Sequence, residues 1–493
     1  MALAVVTGVA RAGQSYEVGL TRQGQLIDAF EVSAGVADAP TVLLIGSLDG
    51  DEESRLSVIS QARIYDGRRA RHRPIHLFVI TGLHLAKETA LFPPMGRAYR
   101  ENPESHALWR WIGIHAPDEV LIAGEDFGLA EALSNNAVAG VGRIPARKVD
   151  RRAKFLDVVG RGARHSEAHI ERERRLKRTP RAVATELGAV YGHNFAQPTY
   201  LPGMALLAQS RLGNVADVAQ LAEPYLSGKS EPLGPRATSL NLAGHLVFAD
   251  LAERTKNERA LALVRKAADL GFEGGEMKQS MPFHNEMSDS VFMGTVILTR
   301  AGKLTGERRY FRMAARHLDF MNKLVRRTDG LYRHSPLNDA AWGRGNAFAA
   351  LGYVFALSDW PLDDPDRPRL LHDFQALMAA LARHQTGEGL WREVLDYRGA
   401  YGETSATAMI GFAMERGIRH GWLAKSFYRH RAEGAWEAVL ARTGSDGVLI
   451  DVCESTNKQP TLTDYLRREA TLGTDERGGG MVMLFATEMA GLD

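Results

Sequence analysis

Six segments in the C-terminal part of the chain share one design, in which small residues lead into an apolar helix. They are 201–208, 242–249, 292–298, 345–351, 406–412 and 479–485, and more polar stretches such as 308–325 and 369–383 lie between them. An apolar helix that alternates with an amphipathic one six times predicts six helical hairpins closed into a ring. Residues 182–493 are therefore predicted to form an (α/α)6 toroid, with a cavity at the rim where the inner helices begin.

Residues 1–145 have a different pattern, in which short apolar runs alternate with helices. The runs 42–45, 77–80 and 120–123 are bounded by turn residues, as buried parallel strands are, and 56–64 and 104–112 are typical of the helices between them. This pattern predicts a layered α/β domain with loops of functional interest at the carboxyl ends of the strands. The fold class of the whole chain is multidomain, an α/β domain followed by an all-α toroid.

A strongly basic connector, 146–181, joins the two predicted domains. Its arginines alternate with Glu167, Glu171 and Glu173, a spacing typical of a solvated helix with ion pairs. A nucleic-acid or membrane surface is disfavoured, because interleaved aromatic residues are absent and the formal net charge of the chain is only +2.

The single cysteine, Cys453, excludes an intrachain disulfide framework, fits a reducing compartment and is interpreted as a structural thiol. The N-terminus does not resemble a signal peptide, and no apolar run is long enough to span a bilayer. We therefore expect a cytoplasmic protein without a cofactor. Whether it forms a homo-oligomer stays open.

The stretch Met287–Gly294 places one carboxylate, Asp289, directly before the apolar run 291–301. A carboxyl group beside an apolar wall is suited to proton donation. Asp289 or Ser288 could equally cap the helix, which Asp and Ser often do.

Further residues expected at the same rim are unusual for a purely structural toroid. Aromatic faces stack on sugar rings, and a guanidinium offers two parallel donors to a carboxylate. The alternative is that the aromatic residues belong to the core and that Arg344 is an internal ion-pair partner. The set consists of Tyr332, His334, Trp342, Arg344, Asn346, Trp391 and Glu403.

The C-terminal region resembles glycoside hydrolase family 105 and, more distantly, family 88, the unsaturated rhamnogalacturonyl and glucuronyl hydrolases. The matching stretches are 287–293, 330–334, 342–346, 403–409, 416–421 and 478–484. The resemblance implies an enzyme that acts on oligosaccharides ending in a 4,5-unsaturated uronic acid. Asp289 would be its general acid and base and His334 would orient the ring or the water. Arg344 and Asn346 would hold the uronate and Trp342 would stack on it.

One departure from that family pattern concerns the second inner helix, where Asn241 stands at the place of an aspartate. A charge is lost there, which leaves open the hydrolysis of saturated glucuronides, a reaction that needs two carboxylates flanking the bond. Glu403 is a candidate for the second carboxylate, although a capping role suits it equally. His245 and His284 are nearby alternatives.

The loop Gly46–Glu53 follows the first predicted strand of the N-terminal domain. The layout resembles the zinc carboxypeptidase and succinylglutamate-desuccinylase-like fold, in which this strand end carries His-x-x-Glu as zinc ligands. Here the motif is Asp49-Gly-Asp-Glu52, and an all-carboxylate set suits zinc poorly. We predict a degenerate relative without peptidase activity, in which Asp49 and Glu52 are only weak metal candidates.

Three hypotheses for the function remain at this point. The first is a uronyl-specific glycoside hydrolase that uses Asp289. The second is a metal-dependent hydrolase that uses Asp49 and Glu52. The third is a non-catalytic uronide-binding protein, which the change at Asn241 would explain.

Overall fold

The computed structural model describes residues 14–88, 90–159, 164–283 and 286–492, so His284 and the start of the chain lie outside the described residues. The chain divides into two compact units, residues 1–174 and 175–493. No helix among the described residues is long and apolar enough to cross a membrane.

The first unit is built on a six-stranded sheet with the order β1-β2-β4-β3-β5-β6, in which β3 to β6 are parallel and β1 and β2 run antiparallel. The strands are β1 Ser15–Leu20, β2 Leu26–Val32, β3 Thr41–Ile45, β4 His76–Ile80, β5 Glu119–Ala123 and β6 Ala146–Val149. The helices are α1 Glu52–Asp66, α2 Pro103–His115, α3 Leu129–Asn135, α4 Phe155–Val158 and α5 Glu167–Leu176.

The central strands form where the sequence predicts them, because their apolar runs are buried inside the sheet. In β3, Val42, Leu43 and Ile45 have no exposed surface. The layered α/β prediction is thus confirmed, but the sheet continues through β6, beyond the predicted boundary at residue 145. The connector contains the predicted ion-paired helix, α5, in which Arg174 Nε lies 2.7 Å from Glu171. The resemblance to carboxypeptidases stays a prediction.

The second unit contains two sets of helices that alternate along the chain. The outer helices are α6 Pro180–Gly188, α8 Val215–Leu226, α11 Glu258–Ala268, α14 Arg308–Val325, α16 Arg367–His384 and α18 Lys425–Ala441. The inner helices are α7 Tyr200–Arg211, α9 Ser239–Gly244 with α10 Leu246–Thr255, α12 Ser290–Met293 with α13 Thr295–Thr305, α15 Gly343–Asp359, α17 Thr404–Arg419 and α20 Glu476–Met489. Small additions are the pair β7 Phe272–Glu273 and β8 Glu276–Met277, the pair β9 Leu449–Cys453 and β10 Ala470–Gly473, and α19 Leu462–Leu466.

The inner helices form a closed ring. Each packs on the next in chain order, and the last, α20, packs on the first, α7. Each outer helix packs against inner helices. All six predicted apolar segments lie within inner helices, so the (α/α)6 toroid is confirmed. Every inner helix starts at the same rim, because each is reached through an outer helix that runs the other way.

Glycine allows inner helices to approach closely. A Cβ atom on Gly352 of α15 would lie 2.4 Å from the carbonyl oxygen of Val291, and one on Gly480 of α20 would lie 3.0 Å from the backbone nitrogen of Ala205 in α7. Because both neighbours are backbone atoms that cannot rotate away, a larger residue would push the helices apart.

At the opposite rim, ion pairs join the C-terminal ends of the inner helices around a polar cavity of about 380 Å³. Arg300 lies there between two carboxylates, 2.6 Å from Glu253 and 3.0 Å from Asp359. The two rims therefore differ in character, with chemistry expected at the rim where the helices start.

A buried histidine holds the short helix α12 in place. His317 on α14 accepts the Met281 N–H at Nδ1, over 3.2 Å, and lies with Nε2 2.8 Å from the carbonyl oxygen of Ser290. Because Nδ1 accepts, Nε2 must carry the proton, so this geometry requires the neutral imidazole. Burial lowers the pKa of His317 from 6.5 to about 4.

The neutral state of His317 predicts a loss of stability in acid. The unfolded chain takes up a proton at this side chain below pH 6.5, whereas the folded chain does not until about pH 4. The free energy of unfolding should therefore fall as the pH decreases from 6.5 to 4, by about 1.4 kcal/mol per pH unit for this group. The variant His317→Gln should show a shallower pH dependence in urea unfolding than the wild type. His72→Gln, at an exposed position, is the control, and equal slopes in wild type and His317→Gln would contradict the prediction.

Candidate active site

Asp289 is the N-cap residue of α12, yet its side chain makes no capping hydrogen bond. Its Oδ2 atom lies 3.2 Å from Nε2 of His334. The two atoms are in close contact, but the angles are not those of a hydrogen bond, and neither atom has a hydrogen-bond partner among the described residues. The Asp289 side chain is 12% exposed, while the Oδ2 atom that faces His334 is itself buried. The capping interpretation of Asp289 therefore does not hold, and its carboxylate is available for chemistry.

His334 is fixed in position by three neighbours. The Tyr465 hydroxyl lies 2.8 Å from Nδ1, the Trp342 ring lies 4.5 Å away between centroids, and the His334 carbonyl accepts the Ser288 N–H over 2.9 Å. The Tyr465 oxygen also accepts the Gln459 N–H, and burial raises the pKa of Tyr465 to about 12. A Tyr465 hydroxyl that keeps its proton can donate to Nδ1, and the tautomer in which it does so carries the imidazole proton on Nε2, facing Asp289.

Trp342 supports His334 instead of presenting an open face to a sugar. It is the N-cap residue of α15, only 1% exposed, and the Arg344 guanidinium lies 4.7 Å from its ring centroid. A Cβ atom on Gly345 would lie 2.5 Å from Ser288 Oγ and 3.1 Å from the Trp342 ring. Only glycine leaves room for the Asp289 turn to pack against this tryptophan. The expectation that Trp342 offers a stacking face at the rim is thus corrected, because the His334 ring and the Arg344 guanidinium lie against the indole.

Arg344 is an internal residue whose donors are already occupied. It is 2% exposed and donates to the carbonyl oxygens of Cys453 over 2.7 Å and Glu454 over 2.8 Å. Its Nη1 lies 3.7 Å from Glu403 Oε1. The expectation of a free guanidinium for a uronate is corrected in favour of the alternative, an internal ion-pair partner.

The Glu403 carboxylate caps the N-terminus of α17. Its carboxylate accepts hydrogen bonds from the backbone N–H groups of Ser405, Ala406 and Cys453 and from the Ser405 hydroxyl. The side chain has no exposed surface. These contacts leave no oxygen directed at a substrate, so the structure supports the structural role that was one of the two alternatives.

Three other predicted rim residues lie in the core. Asn346 Oδ1 accepts the Tyr332 N–H over 2.7 Å, and Asn346 Nδ2 donates to the Tyr332 carbonyl oxygen over 2.8 Å. The Tyr332 hydroxyl points inward, 2.5 Å from Asn322 Oδ1. The indole N–H of Trp391 donates to the Leu381 carbonyl. Their rim position is corrected, because each polar group has its partner inside the protein.

Asn241 and His245 form a local structure at the second inner helix. Asn241 Oδ1 accepts the Thr238 N–H over 2.9 Å, and Nδ2 lies 3.4 Å from the Pro198 carbonyl. His245 is fully buried, and desolvation lowers its pKa to about 4. Helix α9 packs on α12, so the amide of Asn241 stabilises the wall beside Asp289. A contact of Asn241 with substrate stays a prediction.

In the first unit, the Asp49 and Glu52 side chains have partners within the protein. Asp49 Oδ1 accepts from the Ser47 hydroxyl and the Asp51 N–H, which closes the turn before α1. Glu52 is exposed and pairs with Arg55 over 2.6 Å. Among the described residues, neither carboxylate belongs to a group of three His, Cys, Asp or Glu side chains close enough to share an ion.

Two residues of this region are missed by sequence reasoning. Tyr465 lies on α19, between β9 and β10, where no helical periodicity points to the rim. Glu393 is completely buried, and neither carboxylate oxygen has a hydrogen-bond partner among the described residues. Burial, and then the charge of Glu403, raise the pKa of Glu393 well above its usual value. Its one sequence signal is a carboxylate that follows Arg392 within a stretch bounded by Trp391 and Val394.

The buried thiol of Cys453 fits its predicted structural role. It has no exposed surface, and desolvation raises its pKa to about 11. A thiol in that state is a poor nucleophile. The Cys453 backbone contributes to the rim, because its carbonyl oxygen accepts from Arg344 and its N–H donates to Glu403.

The toroid agrees with the comparisons to known proteins. Residues 173–492 match the model of Glycosyl Hydrolase Family 88. The chain belongs to this family. It is a glycoside hydrolase, as the resemblance implied.

Individual relatives match parts of the chain. The unsaturated rhamnogalacturonyl hydrolase of Bacillus subtilis is 30% identical over 192 residues, which cover 36% of this chain and 52% of that protein. The unsaturated 3S-rhamnoglycuronyl hydrolase of Formosa agariphila is 25% identical over 177 residues, 32% of this chain and 47% of that protein. A family 105 glycoside hydrolase structure from C. acetobutylicum, 18% identical, has a TM-score of 0.56 and covers 64% of this chain and 99% of its own. That structure supports the fold alone.

The state of Glu393 predicts how its replacement changes stability. Between pH 4.5, the usual value for its carboxyl group, and the higher pKa of the folded chain, only the folded state keeps the proton. The wild type should therefore lose stability as the pH rises through this window, by about 1.4 kcal/mol per pH unit. Glu393→Gln has the shape of the neutral acid and should gain stability relative to the wild type between pH 4.5 and 7 in urea unfolding.

The matched control for this variant is Glu437→Gln, which changes an exposed glutamate on α18. Its stability difference from the wild type should not depend on pH in the same window. A stability difference for Glu393→Gln that is independent of pH would show that Glu393 is ionised in the folded protein.

Proposed function

We propose that this glycoside hydrolase removes terminal 4,5-unsaturated uronic acid residues from oligosaccharides, with Asp289 as general acid and base. The observation that carries the proposal is the Asp289 carboxylate, which is free of capping bonds, is partly exposed and faces the Nε2 of His334 at 3.2 Å. Support for the substrate class comes from the two relatives whose names specify unsaturated uronyl substrates.

The proposed reaction starts at the double bond between C4 and C5. The Asp289 carboxyl group gives its proton to C4 while a water molecule adds to C5 and returns a proton to the Asp289 carboxylate. The hemiketal formed at C5 opens to a ketone at C5, and the hemiacetal at C1 then releases the remaining oligosaccharide as an alcohol. One carboxyl group therefore acts first as acid and then as base, which a single aspartate can do.

His334 is proposed to position Asp289 and the water. With its proton on Nε2, the imidazole carries its donor on the side of the Asp289 carboxylate, and Tyr465 supports this tautomer from the other side of the ring. The buried ring has little freedom to rotate, which keeps the donor aligned.

The geometry favours the unsaturated substrate over a saturated glucuronide. Hydrolysis of a saturated glycoside needs a second carboxylate across the bond. Glu403, the candidate for that role, is buried and its oxygens accept four hydrogen bonds at the start of α17. Hydration of an existing double bond has no need for that second group.

The first test uses the ultraviolet absorbance of the conjugated double bond in unsaturated uronides. Wild-type protein should bleach this absorbance with a panel of unsaturated glucuronyl and galacturonyl disaccharides. Asp289→Asn should lower kcat/KM by about a hundredfold to ten-thousandfold, because amide nitrogen cannot donate and take back the proton. Asp339→Asn, at a 79% exposed aspartate in the neighbouring loop, should retain full activity.

Two outcomes would overturn the proposal. Bleaching by Asp289→Asn at the wild-type rate would remove Asp289 from the chemistry. Release of product from saturated glucuronides, with no bleaching of unsaturated ones by the wild type, would favour the other reaction.

The second test concerns the hydrogen bond from Tyr465 to His334. Tyr465→Phe removes the donor to Nδ1 and lets the imidazole adopt the other tautomer. One such bond contributes about 0.5–1.5 kcal/mol, so kcat should fall by roughly tenfold or less, with a shifted pH profile. Tyr428→Phe on the outer helix α18 is the control. An unchanged pH–rate profile for Tyr465→Phe would show that Tyr465 does not set the state of His334.

A further inference from the structure

Three side chains of the first unit converge at the edge of the sheet where the parallel strands begin. Asp118 stands directly before β5, and His165 and His169 lie at the start of α5. His165 Nδ1 is 3.3 Å and His169 Nδ1 is 3.2 Å from the same Asp118 oxygen, Oδ1. This edge is opposite to the one that carries Asp49, so the cluster is separate from the loop that the sequence singles out.

The Asp118 carboxylate is held rigidly by the backbone. Its side chain has no exposed surface, Oδ2 accepts the Thr41 N–H over 2.8 Å, and Oδ1 accepts the Ser166 N–H over 3.0 Å. Backbone donors of this kind fix the orientation of a carboxylate in the way that outer-shell hydrogen bonds fix metal ligands.

Oδ1 of Asp118 is the atom that both imidazoles share. It accepts the Ser166 N–H over 3.0 Å, and the Nδ1 atoms of His165 and His169 lie 3.3 and 3.2 Å from it. His165 Nδ1 is also 3.4 Å from Oδ2. A cation bound to Oδ1 and both Nδ1 atoms would replace the contacts that the imidazoles make to the carboxylate.

The spacing of the three atoms fits tetrahedral zinc. Bonds of about 2.0–2.1 Å from zinc to nitrogen or oxygen place neighbouring ligand atoms about 3.3 Å apart. The two Nδ1–Oδ1 distances, 3.3 and 3.2 Å, match that edge, and all three ligand atoms lie within 4.8 Å of one another. The imidazole rings are stacked, with centroids 4.0 Å apart and 21° between their planes, and zinc binding would turn them so that both Nδ1 lone pairs point at the ion.

We propose that Asp118, His165 and His169 bind one zinc ion at the amino-terminal edge of the sheet. Two imidazoles and one carboxylate are a donor set that zinc prefers and that magnesium and calcium do not. The His165 side chain is 44% exposed and that of His169 is 22% exposed, so the ion can enter from solvent and water can complete the coordination. The ion would fasten the first turn of α5 to the strands β3 and β5.

The test measures zinc binding to the full-length, untagged protein after treatment with a chelator, by isothermal titration with zinc chloride. The wild type should bind one equivalent, and magnesium chloride should give no binding. His165→Ala and His169→Ala should each weaken zinc binding at least tenfold, since each removes one of three ligands. His72→Ala, which removes an exposed histidine elsewhere in the same unit, should bind as the wild type does.

The readout is independent of hydrolase activity, so failure of the uronyl substrate assay would not affect it. Both ligand histidines are partly exposed, and circular dichroism of the variants should match the wild type. The proposal is overturned if the wild type binds zinc no better than the double variant His165→Ala/His169→Ala, or if His72→Ala loses as much affinity as either ligand variant. In that case the cluster is only a carboxylate with two imidazole partners.

Discussion

The common direction of the six inner helices controls the chemistry of this toroid. Because every inner helix starts at the same rim, six sets of unpaired backbone N–H groups gather there, and acidic side chains are favoured at each helix start. Glu403 and Asp475 occupy such positions and accept the backbone donors of their helices. Asp289 occupies the third, without a capping bond, and faces His334. The carboxylate proposed for catalysis thus stands at a helix start without a capping bond, on the short helix α12, whose Ser290 carbonyl oxygen lies 2.8 Å from His317 Nε2.

The toroid could be predicted from the sequence because periodicity reports burial along a helix. The same periodicity cannot tell a side chain that lines the rim from one that lies just beneath it. Arg344, in the first turn of α15, and Tyr332, in the connection before α15, follow this pattern, since both bond backbone or amide groups inside the protein. Tyr465 escapes prediction for the reverse reason, because it reaches His334 from α19, far along the chain and outside any repeat. Asp289 and His334 are found because their motifs resemble a known family, whereas their 3.2 Å contact is a property of the fold.

The first unit also contains a side-chain cluster that the sequence pattern does not predict. Its strands are predicted by apolar runs, and the functional expectation follows the rule that loops at the carboxyl ends of parallel strands carry sites. The cluster of Asp118, His165 and His169 lies at the other edge and joins residues that are 47 positions apart in the chain. His165 and His169 belong to a connector whose charge pattern predicts only a solvated helix, and the sequence holds no spacing that links them to Asp118.

The contact between α7 and α20 also sets the order in which the toroid can be completed during synthesis. A ribosome releases α7 before five other inner helices, yet the neighbour that covers one side of α7 is the last to emerge. Until then, the apolar surface of Met204, which lies beside Gly480 of α20, has only part of its final cover. Nascent chains with exposed apolar surface aggregate easily and are common clients of chaperones. Until α20 is made, the toroid is therefore an open arc. The apolar side of α7 is fully covered only when α20 packs on it.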